Sequence, residues 1–290
     1  VELYPIIKYG LNGLKFLTLN VFNRNSSKYW KSTILKTIEI SNLGKRVCVF
    51  AHYHSSEVSD DVLFYLSELK KDDWSIIFIT TGETLSMEEL NKTKGFCCSI
   101  IKRKNIGYDF GSYALGYYLI DKELTQDLLF CNDSVYGPYQ SLANIENKMR
   151  KYDCWGLTDS HERSYHLQSY FLRFNHKALS SKSLSFFIAG IKPQKNKRKL
   201  IKKFEIGFSS MLQKTDFVIG SFISSKQLIE ELSGNQESQT NVTIHFPFAL
   251  YQKEMPFIKK EVIQSNPAEV DLDPLLKIID SYSNLSPLKE

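Results

Sequence analysis

From Lys45 onward the chain alternates short apolar runs with segments of helical spacing, and this alternation constrains the fold more than any other feature. Val47–Ala51 is an apolar run of strand length that ends in polar His52, Tyr53 and His54, and Asp60–Leu69 then shows helical spacing behind Ser59, an N-cap residue type. The unit recurs with Ser75–Thr80 as strand, a turn at Gly82, a helix from Ser86 to Asn91 with Ser86 and Glu89 set as a capping box, and Phe96–Ile101 as strand. Asp127–Cys131 is a fourth apolar strand. Strands that alternate with helices pair in parallel, so the predicted class is α/β, with a Rossmann-type mostly parallel sheet flanked by helices.

The remainder is read more coarsely. Beyond Pro138 the spacing predicts a helix over Leu142–Lys151, a strand over Cys154–Leu157, an apolar-aromatic segment from Tyr165 to Phe174, a helix over Lys197–Gln213 and a strand or helix near Phe217–Ile223. The ending, with Pro247, Pro256, Pro267, Pro274 and Pro287, reads as irregular. Residues 1 to about 40 are spaced more like helix than strand, with a polar break at Asn23–Lys28. The expected division is an N-terminal helical extension (1–44), one α/β domain (45–270) and a C-terminal tail or helix (271–290).

Composition removes several classes. With 42% hydrophobic and 24% charged residues in 290, disorder, collagen and coiled coil are excluded, and 13% aromatics supply a sizeable core. No run approaches the roughly 18 apolar residues of a membrane span, and no leader pattern opens the chain, so a cytoplasmic protein is expected. Cys48, Cys97, Cys98, Cys131 and Cys154 lie in apolar runs without a CxxC, as reduced buried thiols do. The net charge of +5 says little about nucleic acid, and none is expected as a partner. A run from Lys192 to Lys203, free of acids, suits either an anionic membrane surface or plain solvent.

Four constellations carry chemistry. Asn132-Asp133-Ser134 follows the fourth strand directly, which puts a carboxylate at the sheet edge where open α/β folds bind ligands; an Asx turn is the bland alternative. Arg103 to Ser112 includes Asn105, Gly107 and Asp109 in a polar glycine-containing turn that can approach a ribose or diphosphate, though it matches neither a P-loop nor GxGxxG. His52 and His54, two apart after the first strand, suit either paired metal ligands or the wall of a nucleotide cleft with Tyr53. In the polar stretch from Glu162 to Tyr170, Gln168 and Tyr170 are pocket candidates, and Glu162, His166 and Glu205 are candidate general bases.

Together these residues resemble the rhamnan synthesis F family of bacterial polysaccharide-assembly proteins. The resemblance runs through Arg103–Tyr113, Leu129–Pro138, His166–Phe171, Phe204–Gly207, Pro256–Lys259 and Asn266-Pro267, in that order. It implies a GT-A-like glycosyltransferase that moves rhamnose or another hexose from a nucleotide-diphosphate donor to a surface polysaccharide such as O-antigen, capsule or rhamnan. By position, Asn132-Asp133-Ser134 stands where GT-A enzymes carry an Asp-x-Asp metal motif, so Asp133 with His245 is the expected site of a divalent cation, Mn2+ or Mg2+. His52, Tyr53, Arg103, Asn105, Gly107, Asp109 and Asn132–Ser134 are expected on the donor, Gln168 and Tyr170 on the acceptor side, and Glu205, Glu162 and His166 as candidate bases. A lipid-linked glycan acceptor would bring the protein to the inner face of the cytoplasmic membrane. Two rivals stay open: a non-catalytic scaffold of a synthesis complex, and a metal-dependent hydrolase centred on His52, His54 and Asp133.

Overall fold

The computed structural model describes residues 21–54, 56–193, 201–233 and 240–283. The expected parallel sheet forms from four strands. β2 (Arg46–His52) lies between β3 (Ser75–Thr80) and β5 (Asp127–Asn132), and β4 (Cys97–Arg103) pairs with the outer side of β3, all in parallel. Beyond β5 the sheet becomes mixed, with β9 (Phe171–Asn175) antiparallel, then β7 (Cys154–Ser160) and β10 (Ile219–Ile223). The short β8 (His166–Leu167) pairs with β7 off this path. The strand order β4-β3-β2-β5 reverses direction between β2 and β5, which is the topological switch point of a doubly wound sheet.

Burial on both faces explains the continuous apolar runs. Successive side chains of a strand point to opposite faces, so Cys48 and Phe50 pack on one side with Tyr65 and Leu66 of α2 (Asp60–Lys71). Val47, Val49 and Ala51 pack on the other with Tyr113 and Tyr117 of α4 (Tyr108–Tyr117). A Cβ on Gly116 of α4 would fall 2.4 Å from Val49 Cγ2, so this helix presses closer to the sheet than any larger residue permits. The Ser86/Glu89 capping box is half made. Ser86 accepts from the Glu89 amide at 3.2 Å, but the Glu89 carboxylate takes the Val58 amide at 2.9 Å instead of returning to Ser86.

The N-terminal expectation needs correction. Residues 34–39, read as part of a helical extension, form β1 (Ile34–Glu39), an antiparallel strand that completes the sheet beside β4. Residues 21–31 are helical straight through the polar stretch Asn23–Lys28, and fully buried Trp30 on this helix packs with α4 and the sheet. β1 contains β-branched Ile34, Thr37 and Ile38, which suit a strand laid on an existing edge. Residues 1–20 lie outside the described residues, as do 194–200 of the lysine run. The proline-bearing end is not irregular: helices span Pro247–Gln252, Lys260–Ser265 and Asp273–Ser283. They close a small third core around Tyr139, Ile258, Val262 and Leu275. No helix among the described residues is long and apolar enough to cross a membrane.

One buried cation shapes the turn between β4 and α4. Arg103 is 1% exposed, and its guanidinium donates to the carbonyls of Lys104 (2.9 Å), Ile106 (2.7 Å) and Tyr108 (2.6 Å) and to Ser112 Oγ (3.0 and 2.9 Å). Burial draws its pKa down to about 10. Gly107 caps α4 at φ 80°, and a Cβ there would meet Trp30 at 2.8 Å. Arg103→Leu leaves three carbonyls and a hydroxyl without their donor, and we expect it to cost about 3 kcal/mol in urea unfolding, from the unsatisfied groups it exposes.

Candidate functional site

A cleft of about 600 Å³ opens at the C-terminal ends of β2 and β5, over the switch point. Each strand delivers polar residues only where it leaves the sheet: Tyr53 and His54 after β2, Asn132, Asp133 and Ser134 at and after β5. The first turn of α4 adds Tyr108 and Asp109, placed by the Arg103-held turn. Gln168, Ser169 and Tyr170 arrive between β8 and β9, Glu205 from a π-helical turn over Ile201–Ile206, and Lys259 and Lys260 from the far end of the chain.

The floor is a connected polar chain. Asn132 Nδ2 donates to Asp109 Oδ2 at 2.9 Å, while Asn132 Oδ1 accepts both the Ser134 amide (3.1 Å) and its hydroxyl (2.6 Å). Lys259 Nζ reaches Ser134 Oγ at 3.3 Å. Asp133 Oδ2 accepts the Tyr53 amide at 2.9 Å, with the His52 Nε2 atom 3.9 Å away. Enclosure in the cleft wall, and then the negative charge of Asp133, push the Asp109 carboxyl up to about 6. Burial draws the His52 imidazole below its ordinary value despite Asp133, so it is neutral at pH 7. Its Nδ1 meets Thr80 Oγ1 at 3.0 Å. Across the cleft Ser169 Oγ donates to Glu205, and Tyr170 OH lies 2.9 Å from Thr158 Oγ1.

Several expected residues stand elsewhere. Arg103 is consumed by the turn it holds, Asn105 is exposed, and Gly107 serves the backbone beneath Trp30. Glu162 is exposed on a loop, and His166 is buried with Nδ1 2.9 Å from the Ser164 carbonyl oxygen. His245 ends the helix Val242–His245 in solvent. None of these six lines the cleft, and His52 lies buried below it. Of the three candidate bases only Glu205 enters the site. Sequence reasoning passed over Tyr108, Ser169, Lys259 and Lys260 as site residues; the signal for Lys259 was its place in a stretch that carries the resemblance, with no local motif to give it a role.

The expected divalent cation finds a poor donor set. Such ions take six or more oxygens, carboxylates foremost. In Asn132-Asp133-Ser134 only one residue is an acid, the Asn132 carbonyl oxygen already accepts two hydrogen bonds, and one Asp133 oxygen is held by the Tyr53 amide. With His245 elsewhere, no group of three His, Cys, Asp or Glu side chains among the described residues could hold a metal. These residues do not by themselves fit a resident cation, and the same holds for the hydrolase centre of His52, His54 and Asp133.

Comparison with known proteins adds lineage. Virulence protein VirA of Vibrio anguillarum is 29% identical over 275 residues, covering 82% of this chain and 87% of its own. The uncharacterized protein y4gN of Sinorhizobium fredii is 26% identical over 186 residues, 61% of this chain and 48% of its own. Among solved structures, HddC from Yersinia pseudotuberculosis superposes with a TM-score of 0.39 at 12% identity, covering 62% of this chain and 90% of its own. The galactosyltransferase LgtC, solved with donor and acceptor sugar analogs, does so with 0.41 at 11%, covering 81% and 95%. The model of rhamnan synthesis protein F matches residues 76–286, from β3 through the last helix and including most of the cleft, and the chain belongs to that family.

Proposed function

We propose that this protein is a glycosyltransferase of surface-polysaccharide synthesis, moving rhamnose or another hexose from a nucleotide-diphosphate sugar to a growing O-antigen, capsule or rhamnan chain. The observation that carries the reading is the placement of Asp109, Asp133 and Glu205 around one cleft at the switch point, together with membership of a family named for rhamnan synthesis. The catalytic unit is the α/β domain of residues 45–270, with β1 on its edge. Tyr53, His54 and Asn132–Ser134 face the donor. Asp109 and Asp133 accept hydrogen bonds from donor hydroxyls, while Gln168 and Tyr170 face the acceptor.

Glu205 is the base. As the acceptor oxygen bonds to the anomeric carbon, Glu205 takes its proton and the bond from that carbon to the diphosphate oxygen breaks, its electron pair leaving with the nucleoside diphosphate. Ser169, which donates to Glu205, holds the carboxylate in place. The acceptor is lipid-linked, which puts the reaction at the inner face of the cytoplasmic membrane.

Release of nucleoside diphosphate from dTDP-, UDP- and GDP-sugars, in the presence of lipid-linked polysaccharide acceptor, tests the reading; release with one donor that requires acceptor supports it, and absence with all three moves the protein to a scaffold role. Glu205→Gln should lower turnover about 100-fold or more while nucleotide affinity stays within about twofold, as removal of a general base does; single-turnover kinetics beside calorimetry checks this.

Asp109 supplies a second prediction, in stability. Its folded pKa of about 6 lies above the ordinary 3.8, so the folded state binds more protons across that window. Its contribution to stability is therefore complete below about pH 4 and is lost as pH rises through about 6. Asp109→Asn keeps an acceptor for Asn132 but cannot ionise. It should melt higher than the wild type at pH 8, lose that advantage near pH 4, and bind donor more weakly, the trade expected where a site stores unfavourable charge. Melting curves at both pH values and a donor titration decide it.

A further inference from the structure

We propose that Lys259 is the diphosphate-binding residue of the cleft, supplying with its ammonium the positive charge for which a transferase of this kind would otherwise need a metal ion. The inference rests on the transferase reading and specifies how that site holds its leaving group.

The backbone puts Lys259 there. β6 (Val135–Tyr136), immediately after Asp133-Ser134, pairs antiparallel with β11 (Ile258–Lys259), Lys259 opposite Val135, and the Lys260 amide donates to the Ser134 carbonyl at 3.0 Å. The turn beyond β6 is locked to the same segment: Gly137, at φ 121°, leaves no room for a Cβ, which would fall 2.4 Å from the Pro256 carbonyl oxygen. A residue distant in sequence is thereby fixed beside Ser134, at the third position of the motif that an acid would occupy in Asp-x-Asp.

The side chain turns into the cleft. Lys259 Nζ lies 3.3 Å from Ser134 Oγ and 3.9 Å from the centre of the Tyr170 ring, whose face steadies a cation. Its neighbour Lys260 turns to Asp61 at 2.5 Å and over Tyr136. Asp109 and Asp133 share this cleft with Glu205 and Glu261, so a diphosphate enters only where a cation offsets their charge. An ammonium acts on phosphate as a point charge and is most effective in a partly desolvated wall. It would also repel a divalent ion bound at Ser134, in agreement with the poor donor set there. In the reaction its charge stabilises the diphosphate oxygen that receives the electron pair of the breaking bond.

The experiment is calorimetric titration of the full chain with UDP, dTDP and GDP, in EDTA and in Mn2+, for wild type, Lys259→Met and Lys259→Arg. We expect one nucleotide to bind in EDTA with Kd changed by no more than about threefold on adding Mn2+, Lys259→Met to weaken it about tenfold or more, and Lys259→Arg to restore most of the loss. The matching nucleoside monophosphate should lose less in Lys259→Met, which separates a lost phosphate contact from a disturbed cleft. Binding that appears only with Mn2+, or that Lys259→Met leaves unchanged, would overturn the inference while leaving the transferase reading in place. If folded wild type binds none of the three in either condition, both fall together.

Discussion

The central strands are buried on both faces, and the location of the site follows from that constraint. A residue in the middle of β2 or β5 meets a packed layer whichever way it points, so no polar group can be placed there without a buried partner. Polar side chains enter only where the strands leave the sheet. Parallel strands leave on the same side, so the ends of β2 and β5 deliver Tyr53, His54 and Asn132–Ser134 to one edge. The reversal of strand order between them spreads the flanking connections apart and opens the space that these residues line.

Within that space the charges are arranged at some cost. Asp109 and Asp133 stand near enough for one to raise the pKa of the other, and Asn132, where an acid would complete a metal motif, spends its amide bridging Asp109 to Ser134. A third carboxylate at that position would deepen the repulsion; an amide donates to one neighbour and accepts from the other. Arg103 draws the Asp109 carboxyl back toward ionisation through its charge alone, its donors being committed to the β4–α4 turn.

What the sequence made legible follows the same division. Runs such as Val47–Ala51 and Asp127–Cys131 announce themselves because two-sided burial leaves no polar residue to interrupt them, and the carboxylate after the fourth run was placed at the sheet edge by adjacency alone. β1 was missed because a strand added at an edge answers to its partner, β4, more than to its own pattern. Arg103 looked like a ligand-binding cation because a charge in a glycine-containing turn gives no hint of burial. Only the folded turn, with three carbonyls directed at one guanidinium, shows that the charge is used within the chain.

Glu205 and Lys259 show why the site itself was less legible than the sheet. Neither lies in a local motif, and each reaches the cleft through packing that no short window records. Glu205 comes on a π-helical turn whose Phe204 is buried against Phe110 and Phe187, so the aromatic side anchors the turn and the carboxylate faces the cleft. Lys259 comes on a two-residue ladder that exists only because β6 follows the Asp133 turn. Glu162 and His166, nearer in sequence to the pocket residues Gln168 and Tyr170, lie outside the cleft that Glu205 enters. Sequence proximity therefore identifies Asn132–Ser134, which β5 itself carries to the edge, whereas Glu205 depends on the aromatic packing of Phe204 and Lys259 on a ladder with a segment distant in the chain.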